Sequence, residues 1–124
     1  MISSESLAFL KKLLDTPGPS GFESAPAKVW REQAKQFAKV SGDVAGNSLA
    51  EVNGKGGPTI MLAGHIDEIG VILSYVDDQG YGYIQPIGGW DPQVLIGHRL
   101  RFIGRKGDVF GVVGKKPIHL IKLE

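Results

Sequence analysis

His65 and Asp67 stand two positions apart in the stretch Ala63-Gly64-His65-Ile66-Asp67-Glu68-Ile69-Gly70. In an extended chain, residues two apart share a side, so the imidazole and the carboxylate can be neighbours. A histidine that binds a metal through one ring nitrogen commonly has a carboxylate or carbonyl holding the N–H of the other. The pair therefore reads as a metal ligand with its orienting partner. The same spacing also serves an ordinary hydrogen-bonded pair at a strand end, and spacing alone does not separate the two. Cysteine is absent, which removes disulfides and thiolate sites, so any metal must be held by His, Asp, Glu or water. No Gly-x-Ser-x-Gly elbow occurs, leaving nucleophilic serine or cysteine hydrolysis without support.

The element that must deliver the pair is the apolar run Thr59-Ile60-Met61-Leu62-Ala63, bounded by Pro58 in front and Gly64 behind. It lacks polar alternation, the pattern of a short strand buried on both faces of an α/β sheet. Sites in open α/β sheets lie at the carboxyl ends of strands, where this run would leave His65 and Asp67.

Ahead of it, Leu7, Leu10 and Leu14 with Phe9 and Leu13 predict a helix, capped by Ser3 or Ser4 and favoured by Glu5 at its positive end. Pro17 disfavours helix at Thr16, so the helix ends near Asp15. Thr16-Pro17-Gly18-Pro19-Ser20-Gly21-Phe22-Glu23 is a stiff loop. A second helix is expected from Ser24 to about Val40, with Pro26 in its first turn and Trp30 and Phe37 facing the core. Asp43 to Asn47 reads as a turn, Leu49 to Val52 as a short strand, and Asn53-Gly54 as a hairpin leading into the apolar run. Gly54-Lys55-Gly56-Gly57 lacks a Gly-Lys-Ser/Thr ending and precedes a strand, so it is not a phosphate cradle.

From Gly70 the texture becomes all β. Val71 to Val76 and Tyr81 to Gln85 flank the turn Asp77-Asp78-Gln79-Gly80. Leu100 to Ile103 and Asp108 to Val113 flank Gly104-Arg105-Lys106-Gly107. The boundary falls near Gly70, dividing an α/β part, residues 1–70, from a small β meander or partial barrel, residues 71–124. Asp77 and Asp78 are solvated turn residues. Trp90, in Gly88-Gly89-Trp90-Asp91-Pro92, is either a subunit contact or a loop anchor. His98 and His119 are expected to make structural hydrogen bonds or subunit contacts.

With 124 residues there is chain enough for one modest core. The net charge is +1 and the 14 basic residues are scattered, which gives no nucleic-acid or membrane-surface footprint. No run approaches a membrane span, and Met1-Ile2-Ser3-Ser4-Glu5 does not read as a signal peptide, so a cytoplasmic protein is expected. Glycine, at 18 residues, is about twice as common as usual and has no repeating period.

Several pieces taken together resemble the glutamyl-aminopeptidase (tetrahedral aminopeptidase) family of dinuclear metallopeptidases, some of whose members carry an endoglucanase label. They are residues 16–23 and 63–70, quoted above, with Asp43-Val44-Ala45-Gly46-Asn47, Gly88-Gly89-Trp90, Gly97-His98-Arg99 and Gly111-Val112-Val113-Gly114-Lys115-Lys116-Pro117-Ile118-His119-Leu120. Each is weak alone; the ordered set is specific. The resemblance implies the amino-terminal part of a zinc-peptidase-type α/β domain, followed by part of an inserted small β-barrel-like domain used for subunit pairing.

By position, the resemblance makes His65 a ligand to one of two divalent ions, zinc or cobalt, and makes Asp67 the catalytic-site acid that orients it. It implies hydrolysis of amino-terminal residues from peptides by a metal-activated water with a glutamate as general base, in a homo-oligomer. Family members are much longer. The bridging aspartate, the adjacent glutamate pair, the further acidic ligand and the distal histidine have no counterpart here, and Glu68 has no family role to take their place. The sequence is thus expected to be a fragment, inert by itself, or alternatively a non-catalytic assembly or binding module derived from the family. The endoglucanase label is discounted, because no facing pair of carboxylic acids is present for glycoside hydrolysis.

Overall fold

The computed structural model describes residues 2–53 and 55–116, which form two helices, six strands and one 3₁₀ turn. They divide into two compact units, the first ending at Gly70 and the second beginning at Val71.

In the first unit, α1 (Ser4–Leu14) starts where its cap predicts. Ser3 is extended and its Oγ accepts the Ser6 N–H at 3.1 Å. Glu5 in the first turn and Lys11 and Lys12 in the last complement the helix dipole. Phe9 and Leu13 are half-buried, whereas Leu7, Leu10 and Leu14 of the same apolar set are exposed. α2 (Ser24–Ala34) packs on α1 and buries Pro26, Ala27 and Ala34.

α2 ends at Ala34 rather than near Val40. Lys35 to Phe37 form a turn, and Lys39–Gly42 is strand β1, paired antiparallel with β2 (Ser48–Glu51) so that Val40 lies opposite Ala50. Val40 is β-branched and Gly42 is a poor helix former, so ladder bonds to β2 prevail over continued helix. Phe37 is consequently exposed and not part of the core, while Trp30 is half-buried.

The β1–β2 turn is closed by one carboxylate. Asp43 Oδ1 accepts the N–H groups of Ala45 and Asn47, each at 3.0 Å, and Oδ2 accepts from Asn47 Nδ2 at 2.8 Å. Gly46 takes the left-handed conformation, φ 91°, that closes the bend. The hairpin sits at the expected turn, Asp43–Asn47; of the expected Asn53-Gly54 turn, Asn53 is left-handed, φ 55°, and Gly54 lies outside the described residues.

Thr59 to Ala63 does not form the expected buried strand: Ile60, Met61 and Leu62 are 81, 82 and 94 % exposed. A doubly covered strand needs a hydrogen-bonding neighbour along each edge and a layer on each face. Among the described residues nothing pairs with this run.

In the second unit β3 (Gly70–Val76) pairs with β4 (Gly82–Ile87) across the turn at Asp77, whose Oδ1 accepts the N–H groups of Gln79 and Tyr81 at 3.0 and 2.8 Å. A 3₁₀ turn, Pro92–Leu95, is capped by Asp91. β5 (Arg99–Phe102) pairs antiparallel with β6 (Val109–Val112). The two ribbons share no ladder among the described residues. Trp90 Nε1 donates to the Ile87 carbonyl at 2.9 Å, the bond of a loop anchor. His98 is exposed, and His119 lies outside the described residues.

Candidate functional site

The proline loop and the segment around His65 are bound to each other, although about fifty residues separate them in sequence. The Glu68 N–H donates to the Gly18 carbonyl at 3.0 Å and the Ser20 N–H donates to the Glu68 carbonyl at 3.3 Å, forming a parallel bridge between Pro19 and Glu68. The Glu68 carboxylate adds a third bond, accepting the Gly18 N–H at 2.9 Å. Gly18 is buried, and a Cβ there would stand 2.5 Å from Pro26 Cγ, so only glycine lets the loop pass over the start of α2.

Ser20 Oγ donates to Asp67 Oδ2 at 2.5 Å. The other carboxylate oxygen, Oδ1, lies 2.9 Å from His65 Nδ1, and the Asp67 carbonyl lies 3.1 Å from the same nitrogen. The structure thus brings His65 and Asp67 together as the spacing predicts. The Ser20 hydroxyl, more than any other group, holds the Asp67 carboxyl below the usual carboxylate range; His65 pulls the same way and partial burial opposes. A carboxylate and a carbonyl can only accept, so the proton between them and the ring belongs to Nδ1 of the neutral imidazole. Nε2 then carries a lone pair, on a side chain 86 % exposed. Metal-binding histidines commonly have the other ring nitrogen held in this way.

Spacing anticipated the contact between His65 and Asp67. It did not identify Ser20 or Glu68, because their partners lie far away along the chain and only the folded loop brings them in. The prolines of residues 16–23 are the one sequence signal that this loop is held rigidly.

The sequence matches the family described as M42 glutamyl aminopeptidase over residues 46–124. The chain belongs to that family. A lysyl aminopeptidase of Pyrococcus furiosus is 38% identical over 113 residues, covering 90% of this chain and 32% of the relative. The crystal structure of a TET aminopeptidase from a marine-sediment Thaumarchaeota archaeon superposes with a TM-score of 0.89 at 35% identity, over 96% of this chain and 34% of that one. A Pyrococcus horikoshii TET1 peptidase, described as able to assemble into a tetrahedron or a large octahedral shell, gives a TM-score of 0.77 at 33% identity, over 92% of this chain and 34% of its own. The chain therefore spans about a third of the length of the M42 relatives it matches. The mixed helix-and-strand fold is shared with the TET aminopeptidases. Among the described residues, no helix is long and apolar enough to cross a membrane.

Among the described residues no three His, Cys, Asp or Glu side chains gather at one point. A catalytic zinc site takes about three protein ligands. His65 with Asp67 fits one position of such a set, and the described residues do not complete it.

Proposed function

We propose that this chain is the amino-terminal part of a metal-dependent aminopeptidase that releases amino-terminal residues from peptides. In this reading His65 Nε2 is one ligand to one of two divalent ions, zinc or cobalt, and Asp67 fixes the ring by accepting its Nδ1–H. Bound metal would supply a nucleophilic water and a Lewis acid for the scissile carbonyl. The remaining ligands and the general base come from the two-thirds of the relatives' length that this chain does not span. Residues 71–124 then belong to an inserted β domain that serves pairing into a homo-oligomer, and the protein works in the cytoplasm.

One observation carries the reading: two acceptors of Asp67 face His65 Nδ1, which leaves Nε2 as the only ring nitrogen with a free lone pair. The test is turnover of amino-acid anilides by the full-length protein with zinc or cobalt. His65→Ala is expected to lower both activity and metal content by about a hundredfold or more. Unchanged metal content and activity in that variant would remove His65 from the site. The 124 residues by themselves are expected to give no turnover.

A second reading, a non-catalytic assembly module, draws on the two-stranded ribbons, whose outer edges pair with no further strand among the described residues. Retention of self-association by a full-length protein that lacks hydrolysis would favour it.

A further inference from the structure

We propose that Ser20 is a positioning residue for the His65 ring: by donating to Asp67 Oδ2 it turns the carboxylate so that Oδ1 takes the imidazole Nδ1–H, leaving Nε2 unprotonated. That Nε2 then binds metal rests on the reading given above; the effect of Ser20 on the ring does not.

The geometry carries this in two steps. An aspartate carboxylate turns easily about its last torsion, so a single bond from an exposed imidazole does not fix its plane. A second bond on the opposite oxygen does, provided its donor is itself immobile. Ser20 meets that condition. Its N–H is bonded to the Glu68 carbonyl, Pro19 before it has a locked φ and a bridge to Glu68, and the Phe22 N–H closes the turn onto the Pro19 carbonyl at 2.8 Å. The hydroxyl is thus presented from a frame built on the residue next to Asp67.

The chemical consequence lies in the tautomer. In water a neutral imidazole favours the proton on Nε2, the nitrogen a metal would need. Two acceptors at Nδ1 reverse that preference while the carboxylate stays in place. Without the Ser20 hydroxyl, Oδ2 turns to water, the carboxylate swings, and the Nδ1–H form keeps only the Asp67 carbonyl as its acceptor.

The experiment is long-range ¹H–¹⁵N correlation NMR on the ¹⁵N-labelled chain in alkaline buffer, with the neutral form of the ring established from its own ¹⁵N shifts. In the parent protein the His65 Nδ1–H form is expected to predominate. Ser20→Ala should lower the ratio of Nδ1–H to Nε2–H several-fold, and Ser20→Thr, which keeps the hydroxyl, should restore it. An unchanged ratio in Ser20→Ala overturns the proposal, as does loss of the Nδ1–H form in Ser20→Thr to the same extent as in Ser20→Ala. Should Ser20→Ala fail to fold, Ser20→Gly, which also removes the hydroxyl, takes its place, and an unchanged ratio there overturns the proposal in the same way. Failure of the metal-ligand reading would show separately, as unchanged metal content in full-length His65→Ala.

Discussion

Gly70 lies against Pro19 so closely that a Cβ added to it would sit 2.9 Å from the proline Cβ. The proline ring cannot yield, because Pro19 is bridged to Glu68 just before the glycine. Gly70→Ala is therefore expected to push the proline loop away from the His65 segment, at a cost of about 1–2 kcal/mol. The amides of Gly18, Ser20 and Glu68 should exchange with solvent roughly tenfold faster, as each 1.4 kcal/mol implies. Hydrogen-exchange NMR checks this, and parent-like protection would show that the close packing is not needed.

Ser3→Ala removes the side chain that accepts the Ser6 N–H at the start of α1. The expected loss is about 1 kcal/mol of helix stability, confined to the first turn of α1. Amide exchange of residues 4–7 measures it, with α2 as the internal control.

Asp43 responds to acid in a defined direction. Its carboxyl is held below the ordinary range, chiefly by the Asn47 side chain and then by the Asn47 N–H, with burial opposing. A group whose folded pKa is lowered stabilises the fold above its unfolded value, and the contribution is lost as pH falls through the lower folded value. The β1–β2 hairpin should hold at neutral pH and loosen only below about pH 4. Asn47→Ala should raise the Asp43 titration midpoint toward about 3.9, read by carboxyl ¹³C NMR. A midpoint that stays put would remove the side-chain bond as the cause.

A chelator should leave the ¹H–¹⁵N amide spectrum of the 124-residue chain unchanged, since the described residues bring together only one imidazole and its carboxylate partner where about three ligands are needed. Amide shifts that move on chelation, and return with zinc, would mean that further side chains of this chain hold metal.

What could be read from the sequence were the features set by neighbours along the chain. α1 runs between the expected cap and the expected proline-imposed stop, because both signals are local. The His65–Asp67 contact follows from the period of two in extended backbone. The hairpin arms around Asp77 and Gly104–Gly107 follow from turn residues between apolar runs. The readings that failed depend on distant partners. Val40 leaves the helix because β2 offers it a ladder, and no local pattern announces that. Thr59 to Ala63 has a strand's composition, but composition supplies no neighbours for its hydrogen bonds. Glu68 accepts the Gly18 N–H, and Ser20 reaches Asp67, only because the loop has turned back, which no local pattern announces.

Ala27 and Ala34 are the buried hydrophobic side chains among the described residues, and both are small. Heat-capacity change and denaturant sensitivity scale with the apolar surface that unfolding uncovers, and here there is little to uncover. The described chain should therefore melt gradually, with a shallow urea dependence and a flat calorimetric trace, while the short-range bonds of its caps and turns persist after any cooperative transition has faded.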